Sequence, residues 1–374
     1  MTLNTPLAAV LAPMTLAALI AGCSVQDPQP MTDPVPDTPA ARSAAVGADD
    51  IGLSQGLKLW WQMAFDKPAG TAPDASAIPV RRLRPADLTA APEGSLWRLG
   101  HSTVLLKLDG RFWITDPVFA RRASPLSFAG PARFHDLPLT LDELPPLAAV
   151  ILSHDHYDHL DKDAIRALAG RAEHFIAPSG VGDLIVEWGV PAAKVTQLAW
   201  WESRTVAGVT FTATPAQHFS GRGLFDRNQR LWCSWAVRSA TLNLFFSGDS
   251  GYFPGFKAIG ERLGPFDVTM IEAGAYDRRW LGVHMLPEQT VQAHQDLRGR
   301  WLLPIHNGSF DLAFHPWQEP LERVSRAAQA QGVALLTPAF GERVALAAPQ
   351  ATTAWWRGAA HQAPAATALV PGHP

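Results

Sequence analysis

Residues 153–161 read Ser-His-Asp-His-Tyr-Asp-His-Leu-Asp and crowd three histidines and three aspartates into nine positions. Histidine is otherwise sparse, with 13 in 374 residues. Imidazole nitrogens and carboxylate oxygens are the donors that zinc and similar divalent ions accept. In an extended segment alternate side chains point the same way, so His154 and His156 can reach one point. Asp158 and His159 follow as the chain turns toward a helix, and they face a second point nearby. That arrangement suits two metal ions side by side. A solvated turn would account for Asp155 and Asp161, but it does not require the spacing H-x-H-x-D-H.

Such a cluster needs elements that hold it. Val104 to Leu108 and Phe112 to Thr115 flank Asp109-Gly110, a two-residue hairpin signal. Ala148 to Leu152 is a short buried strand that runs straight into the histidines, and Asp163 to Leu168 begins a helix. Val209 to Thr214 and Leu242 to Phe246 also look like strands, ending shortly before His218 and Asp249. Leu302 to Ile305 leads into His306. An apolar strand followed by one or two potential ligands recurs, as expected for a site on loops held rigid by a sheet. Mixed strands and helices over this length predict an α/β protein with helices covering sheets.

The H-x-H-x-D-H motif at a strand end resembles the metallo-β-lactamase superfamily. The runs TDPVFARRASPLSFAGPARF, ELPPLAAVILSHDHYDHLD, TPAQHFSGRGLFD, FFSGDSGY, GPFDVTMIEAGAYDRRW and LLPIHNGSF resemble, in order, its N-acyl-phosphatidylethanolamine-hydrolysing phospholipase D branch. The similarity covers roughly residues 57–342. It implies a four-layer αββα sandwich, two mixed β-sheets flanked by helices. It implies two zinc ions, other divalent transition metals remaining open. His154, His156 and His218 would bind the first ion, Asp158, His159 and His306 the second, and Asp249 would bridge them. Tyr157 and His284 match positions that line the substrate pocket, whereas His101 has a counterpart that is not a ligand. An aspartate at 249, where the best-known zinc β-lactamases carry cysteine, is shared with phosphodiesterases, thioesterases and lactonases of the superfamily. The implied activity is a zinc-dependent phosphodiesterase of phospholipase D type. Two ions about 3.5–4 Å apart would present a bridging hydroxide to phosphorus. Asp158 and Asp249 are the candidate catalytic carboxylates, Ser153 and Ser247 being turn or supporting residues. A lactone or ester hydrolase on the same site, and a non-catalytic envelope lipoprotein, are the rival readings.

The ends read differently. Leu7 to Ile20 is an apolar run too short for a comfortable span, and Leu19-Ile20-Ala21-Gly22-Cys23 resembles a bacterial lipobox, although no Lys or Arg precedes the run. Residues 1–23 are thus expected to be a lipoprotein-type signal whose lipidated Cys23 anchors the chain to the membrane of a bacterial cell envelope. Residues 24–50, rich in Pro, Asp and Ala, are expected to be a flexible linker. A hydrolase domain over 51–346 and an Ala/Pro-rich tail over 347–374 complete the organisation. Only Cys23 and Cys233 exist, so a modified Cys23 leaves no disulfide. A net charge of -3 argues against a nucleic-acid partner. The 14 tryptophans serve either as core bulk or at a lipid interface, and the amphipathic stretch GLKLWWQMAF at 56–65 poses that choice most sharply. His294, His315, His361 and His373 are expected at the surface.

Overall fold

The computed structural model describes residues 58–59, 61–63, 65–74, 76–223 and 225–358. The expected signal segment, Cys23, the linker and the end of the tail lie outside them. The first sheet contains β1 (Ser95–Arg98), β2 (Val104–Leu108), β3 (Arg111–Thr115), β4 (Leu147–Ile151), β5 (Ala172–Pro178) and β6 (Val195–Leu198). The second contains β7 (Ser203–Val206), β8 (Val209–Thr214), β9 (Ser234–Arg238), β10 (Asn243–Phe246), β11 (Phe266–Glu272), β12 (Gly299–Ile305) and β13 (Ala334–Leu335). A last strand, β14 (Arg343–Ala345), returns to the first sheet beside β1, giving the orders β14-β1-β2-β3-β4-β5-β6 and β13-β12-β11-β10-β9-β8-β7. Both sheets mix parallel and antiparallel pairs, β3-β4-β5-β6 and β10-β11-β12-β13 being parallel.

The layers follow from where the apolar residues point. Leu106, Trp113, Ile151, Phe211, Trp235, Phe246 and Leu303 fill the space between the sheets. The outer face of the first sheet, with Ile114, Val150 and Phe175, packs on α1 (Lys162–Leu168) and α2 (Val181–Glu187) through Ile165, Leu168 and Ile185. The outer face of the second packs on α3 (Gly255–Leu263), α4 (Pro287–Asp296) and α5 (Glu319–Gln331) through Phe256, Val291 and Val324. The result is the four-layer αββα sandwich. β4 reads LAAVI and is buried on both faces, as a strand covered by helices on one side and a sheet on the other must be. The β2–β3 hairpin turns at Asp109 and Gly110, whose φ values of 52° and 71° suit the primed turn that matches strand twist.

Several peripheral expectations change. Trp355 and Trp356, placed in the tail by composition, pack with Ile78, Leu321 and Phe340, so the packed chain continues beyond Leu346. In the stretch at 56–65, Leu59 and Met63 are buried, while Trp61 and Phe65 are 57% and 61% exposed. One face thus packs on the domain and the other meets solvent. Among the described residues no helix is long and apolar enough to cross a membrane. His315 is half-buried and stacks on Tyr276 at 4.2 Å between ring centroids.

His294 is also not at the surface. It sits on the inner face of α4, 2% exposed, with Nδ1 2.7 Å from Thr269 Oγ1 on β11. Burial pushes it down to about 4. The unfolded chain, with a histidine near 6.5, takes up the proton first. This contribution to stability is therefore complete above about pH 6.5 and lost as pH falls toward 4. Urea unfolding at pH 7 and pH 5 should show that His294→Gln shrinks the acid-induced loss of stability by about 2 kcal/mol.

Candidate metal centre

The donor residues come from strand ends of both sheets. The turn after β4 supplies His154, His156, Asp158 and His159, and β8 leads to His218. β10 leads to Asp249, and β12 ends at His306. Donor atoms of His154, His156, His218 and Asp249 lie within 4.8 Å of one another, as do those of His101, Asp158, His159 and His306. Asp249 stands between the groups: Oδ1 is 3.0 Å from His159 Nε2, and Oδ2 is 3.0 Å from His306 Nε2 and 3.7 Å from His218 Nε2. The two points anticipated from the motif's spacing therefore correspond to two adjoining donor groups.

The hydrogen-bond network tests whether these residues fit a cation. Ser153 Oγ donates to Asp116 Oδ2 (2.6 Å), so it accepts from His154 Nδ1 (2.9 Å). His218 Nδ1 donates to the Val283 carbonyl (3.0 Å). Both histidines are left with a bare Nε2, and both face His156 Nδ1, at 2.9 and 3.1 Å. A proton on His156 Nδ1 can satisfy only one of them. With a single ring proton His159 repeats the conflict: Nδ1 donates to Asp116 Oδ2 (2.7 Å), and Nε2 faces Asp249 Oδ1 at 3.0 Å, so a second proton or a cation has to lie between them. Neither His159 Nε2 nor Asp249 Oδ1 has a hydrogen-bond partner. Buried acceptors pressed together cost free energy unless a proton or cation lies between them. The nitrogen and carboxylate set fits a divalent ion.

Electrostatics carry the same message. Burial depresses His159, but Asp249 and Asp158 outweigh it and hold that histidine well above its ordinary range. The same carboxylates raise His306 to about 9 against its burial. In the other group burial prevails, bringing His156 to about 4 and His154 and His218 well below the usual value. Asp158 and Asp249 thus favour positive charge, as imidazole protons or a bound cation, in a buried site.

A family model described as the beta-lactamase superfamily domain matches residues 111–307, just over half of the chain and including every residue of the two donor groups except His101. The chain belongs to the metallo-β-lactamase superfamily. An uncharacterized protein of Mycobacterium tuberculosis is 45% identical over 262 residues, covering 69% of this chain and 70% of that one. The N-acyl-phosphatidylethanolamine-hydrolyzing phospholipase D 1 of Caenorhabditis elegans is 39% identical over 249 residues, covering 63% of this chain and 70% of that one. A solved metallo hydrolase from the archaeon Ignicoccus hospitalis superposes with a TM-score of 0.52 at 21% identity, over 67% of this chain and 97% of that one. Within the superfamily the chain falls in the branch of the N-acyl-phosphatidylethanolamine-hydrolysing phospholipases D, and it is a metal-dependent hydrolase.

Around the donors stands a shell that spacing alone did not reveal. Asp116, fully buried after β3, accepts from Ser153 N (2.8 Å), Ser153 Oγ and His159 Nδ1, orienting one histidine of each group. Glu272, fully buried at the end of β11, accepts from His284 Nδ1 (2.9 Å) and Met285 N (2.7 Å). Arg98 donates to Asn307 Oδ1 (3.0 Å) and the Asn307 carbonyl, bracing the chain just after His306, whose φ of 61° is unusual for a side chain with a Cβ. The sequence held one signal for Asp116 and Glu272: each acid closes an apolar strand. His101, although no ligand was expected there, places Nε2 3.1 Å from Asp158 Oδ2, and its ring lies tilted against that of His306, 3.9 Å between centroids. The remaining acids of the motif have other duties. Asp155 accepts from Gly221 N and Arg230, and Asp161 caps α1 through Asp163 N and Ala164 N.

Two glycines permit the close approach. A Cβ on Gly248, which has φ 54°, would lie 2.5 Å from Ser153 Cβ. On Gly274 it would lie 1.6 Å from the His306 carbonyl oxygen. Above the donors opens a cavity of about 640 Å³, its mouth included, with His156, Asp158, Asp249 and His306 at the polar end. Met63, Phe219, Trp280, Val283 and Leu312 form apolar walls, and both Tyr157 and His284 line it. The Tyr157 hydroxyl donates to the Arg222 carbonyl (3.0 Å), so this residue offers the cavity its ring.

Loss of the Asp116 carboxylate should loosen both donor groups together. Asp116→Asn is expected to weaken metal binding tenfold to a hundredfold, about the effect of removing an orienting partner of a ligating histidine. Chelator competition followed by metal analysis measures it.

Proposed function

We propose that the protein is a zinc-dependent phosphodiesterase of phospholipase D type that cleaves N-acyl-phosphatidylethanolamine-like phospholipids. The observation that carries this reading is Asp249, set between two nitrogen groups at the polar end of a cavity whose walls are apolar. A charged diester at the donors and acyl chains along Met63, Phe219 and Trp280 match that division. The branch relationship supports the substrate class. His154, His156 and His218 would hold one ion, Asp158, His159 and His306 a second, with Asp249 shared. Bound zinc supplies Lewis acidity toward phosphate oxygens and makes a water acidic enough to attack near neutral pH.

The chain's own groups do the rest. His159 and His154 are fixed in one tautomer through Asp116 and Ser153, so the donor set is preorganised. The apolar walls exclude bulk water from the diester. Asp158, whose side chain is 15% exposed against 2% for Asp249 and which His159 and His101 keep ionised against its burial, would accept a proton from the attacking water and pass it to the departing alcohol. Among the described residues no serine or cysteine lines the cavity as a nucleophile: Ser153 and Ser247 are engaged in structural bonds, and Cys233 is buried with its thiol pushed well up. Lipidation at Cys23 would keep the enzyme at the envelope membrane that holds its substrate.

Zinc-loaded full-length protein in mixed micelles should release phosphatidic acid and an N-acylethanolamine from N-acyl-phosphatidylethanolamine, read by mass spectrometry. Asp249→Ala should abolish both products. Two bound zinc ions without phosphatidic acid would reject the substrate, and carboxylate release from lactones would then favour the ester-hydrolase alternative. A separate comparison addresses the anchor: Cys23→Ser should move the protein from the membrane pellet to the soluble fraction.

A further inference from the structure

Glu272 is a buried carboxylate that no ligand set requires. Its backbone is pinned at both ends, the N–H donating to Ser247 Oγ (3.0 Å) and the carbonyl accepting from Thr290 Oγ1 (2.8 Å). Its side chain meets donors on both oxygens. Oε1 accepts from Met285 N (2.7 Å), Oε2 accepts from His284 Nδ1 (2.9 Å), and His306 Nδ1 lies 3.8 Å from Oε2. Because the carboxylate is the acceptor, the proton of His284 belongs on Nδ1. Nε2 is then a bare acceptor on a ring that lines the cavity with 14% exposure. A donor atom of His284 also lies within 4.8 Å of donor atoms of Asp249 and His306. The acceptor is therefore adjacent to the centre where the diester would react.

We infer that Glu272 is a positioning residue that fixes His284 with its Nε2 lone pair toward the cavity, as an acceptor for an N–H in the substrate's headgroup. This rests on the phospholipase reading and narrows it. In an N-acylated ethanolamine headgroup the amide N–H is separated from the leaving oxygen only by an ethylene unit. A choline headgroup has no N–H to offer. A buried acceptor left without its donor is costly, so the site discriminates by what the wrong headgroup lacks. A carboxylate on one imidazole nitrogen selects the tautomer presented by the other, as in hydrolytic triads.

Glu272→Gln tests this with little change of shape. Its amide oxygen can still accept from Met285 N, but its NH2 group now donates to His284 Nδ1 and moves the imidazole proton to Nε2. Nitrogen-15 NMR of labelled, metal-free, full-length protein should show His284 protonated on Nδ1 in the wild type and on Nε2 in the variant. With zinc restored, the ratio of kcat/KM for N-acyl-phosphatidylethanolamine over phosphatidylcholine should fall tenfold to a hundredfold. Metal content should stay the same. In a His284→Ala background, Glu272→Gln should change that ratio no further. An unmoved tautomer, an additive double variant, or loss of zinc (placing the carboxylate's effect on His306) would each overturn the inference. If the wild type cleaves neither lipid, the phospholipase reading fails by itself, together with the headgroup assignment. The NMR result then decides whether Glu272 positions His284. Glu272→Asp, which keeps the acceptor, serves should the glutamine variant not fold, and should retain the Nδ1 tautomer.

Discussion

Everything in this molecule is arranged around a repulsion. Lone pairs of buried imidazoles and carboxylates are forced to within about a hydrogen-bond length of one another, with too few protons to separate them. His154 and His218 both press on His156 Nδ1, and His159 Nε2 confronts Asp249. Such a cluster needs a scaffold stiff enough to hold it, and a bound cation would relieve it. The scaffold is correspondingly stiff. The donors sit at the ends of strands covered on both faces, and the histidines are braced from behind by Asp116, Ser153 and the Val283 carbonyl. Strain is tolerated where it keeps the geometry, as at His306 with its positive φ and Arg98 gripping the next residue.

The first layer of this arrangement was open to reading in the sequence because its spacing is dictated by local geometry. Alternation in an extended segment sends His154 and His156 to one side, and the turn that follows sends Asp158 and His159 to another. The strand-then-ligand rhythm pointed to His218, Asp249 and His306 as potential ligands, and the family resemblance supplied their grouping. The second layer was hidden because its partners are distant in the chain. Asp116 reaches His159 across 43 positions, and Glu272 meets His284 only because β11 and the loop before α4 fold over the same cavity. Single acids at strand ends are common, and only the fold distinguishes these two.

The fold itself was legible where the hydrophobic pattern was continuous. β4 and β8 fall within a residue of expectation, and the Asp109-Gly110 turn is where its residues require it. Composition misled at the periphery. His294 stands in a polar-looking helix but faces Thr269, and Trp355 and Trp356 sit in an Ala/Pro-rich stretch yet fill a hydrophobic cluster. In each case a tertiary partner far along the chain overrode the local signal.

β14 has a consequence of its own. It pairs with β1 through Ser95, Leu96 and Trp97, and Gly341 N donates to the Arg98 carbonyl, so a late segment completes the edge of the sheet beside the earliest strand among the described residues. Arg98 is the residue that braces the turn after His306. During synthesis the chain would emerge with its histidine motif long before that edge could close, since domains mature as units while the ribosome delivers them residue by residue. The ion-binding geometry is thus a property of the finished polypeptide.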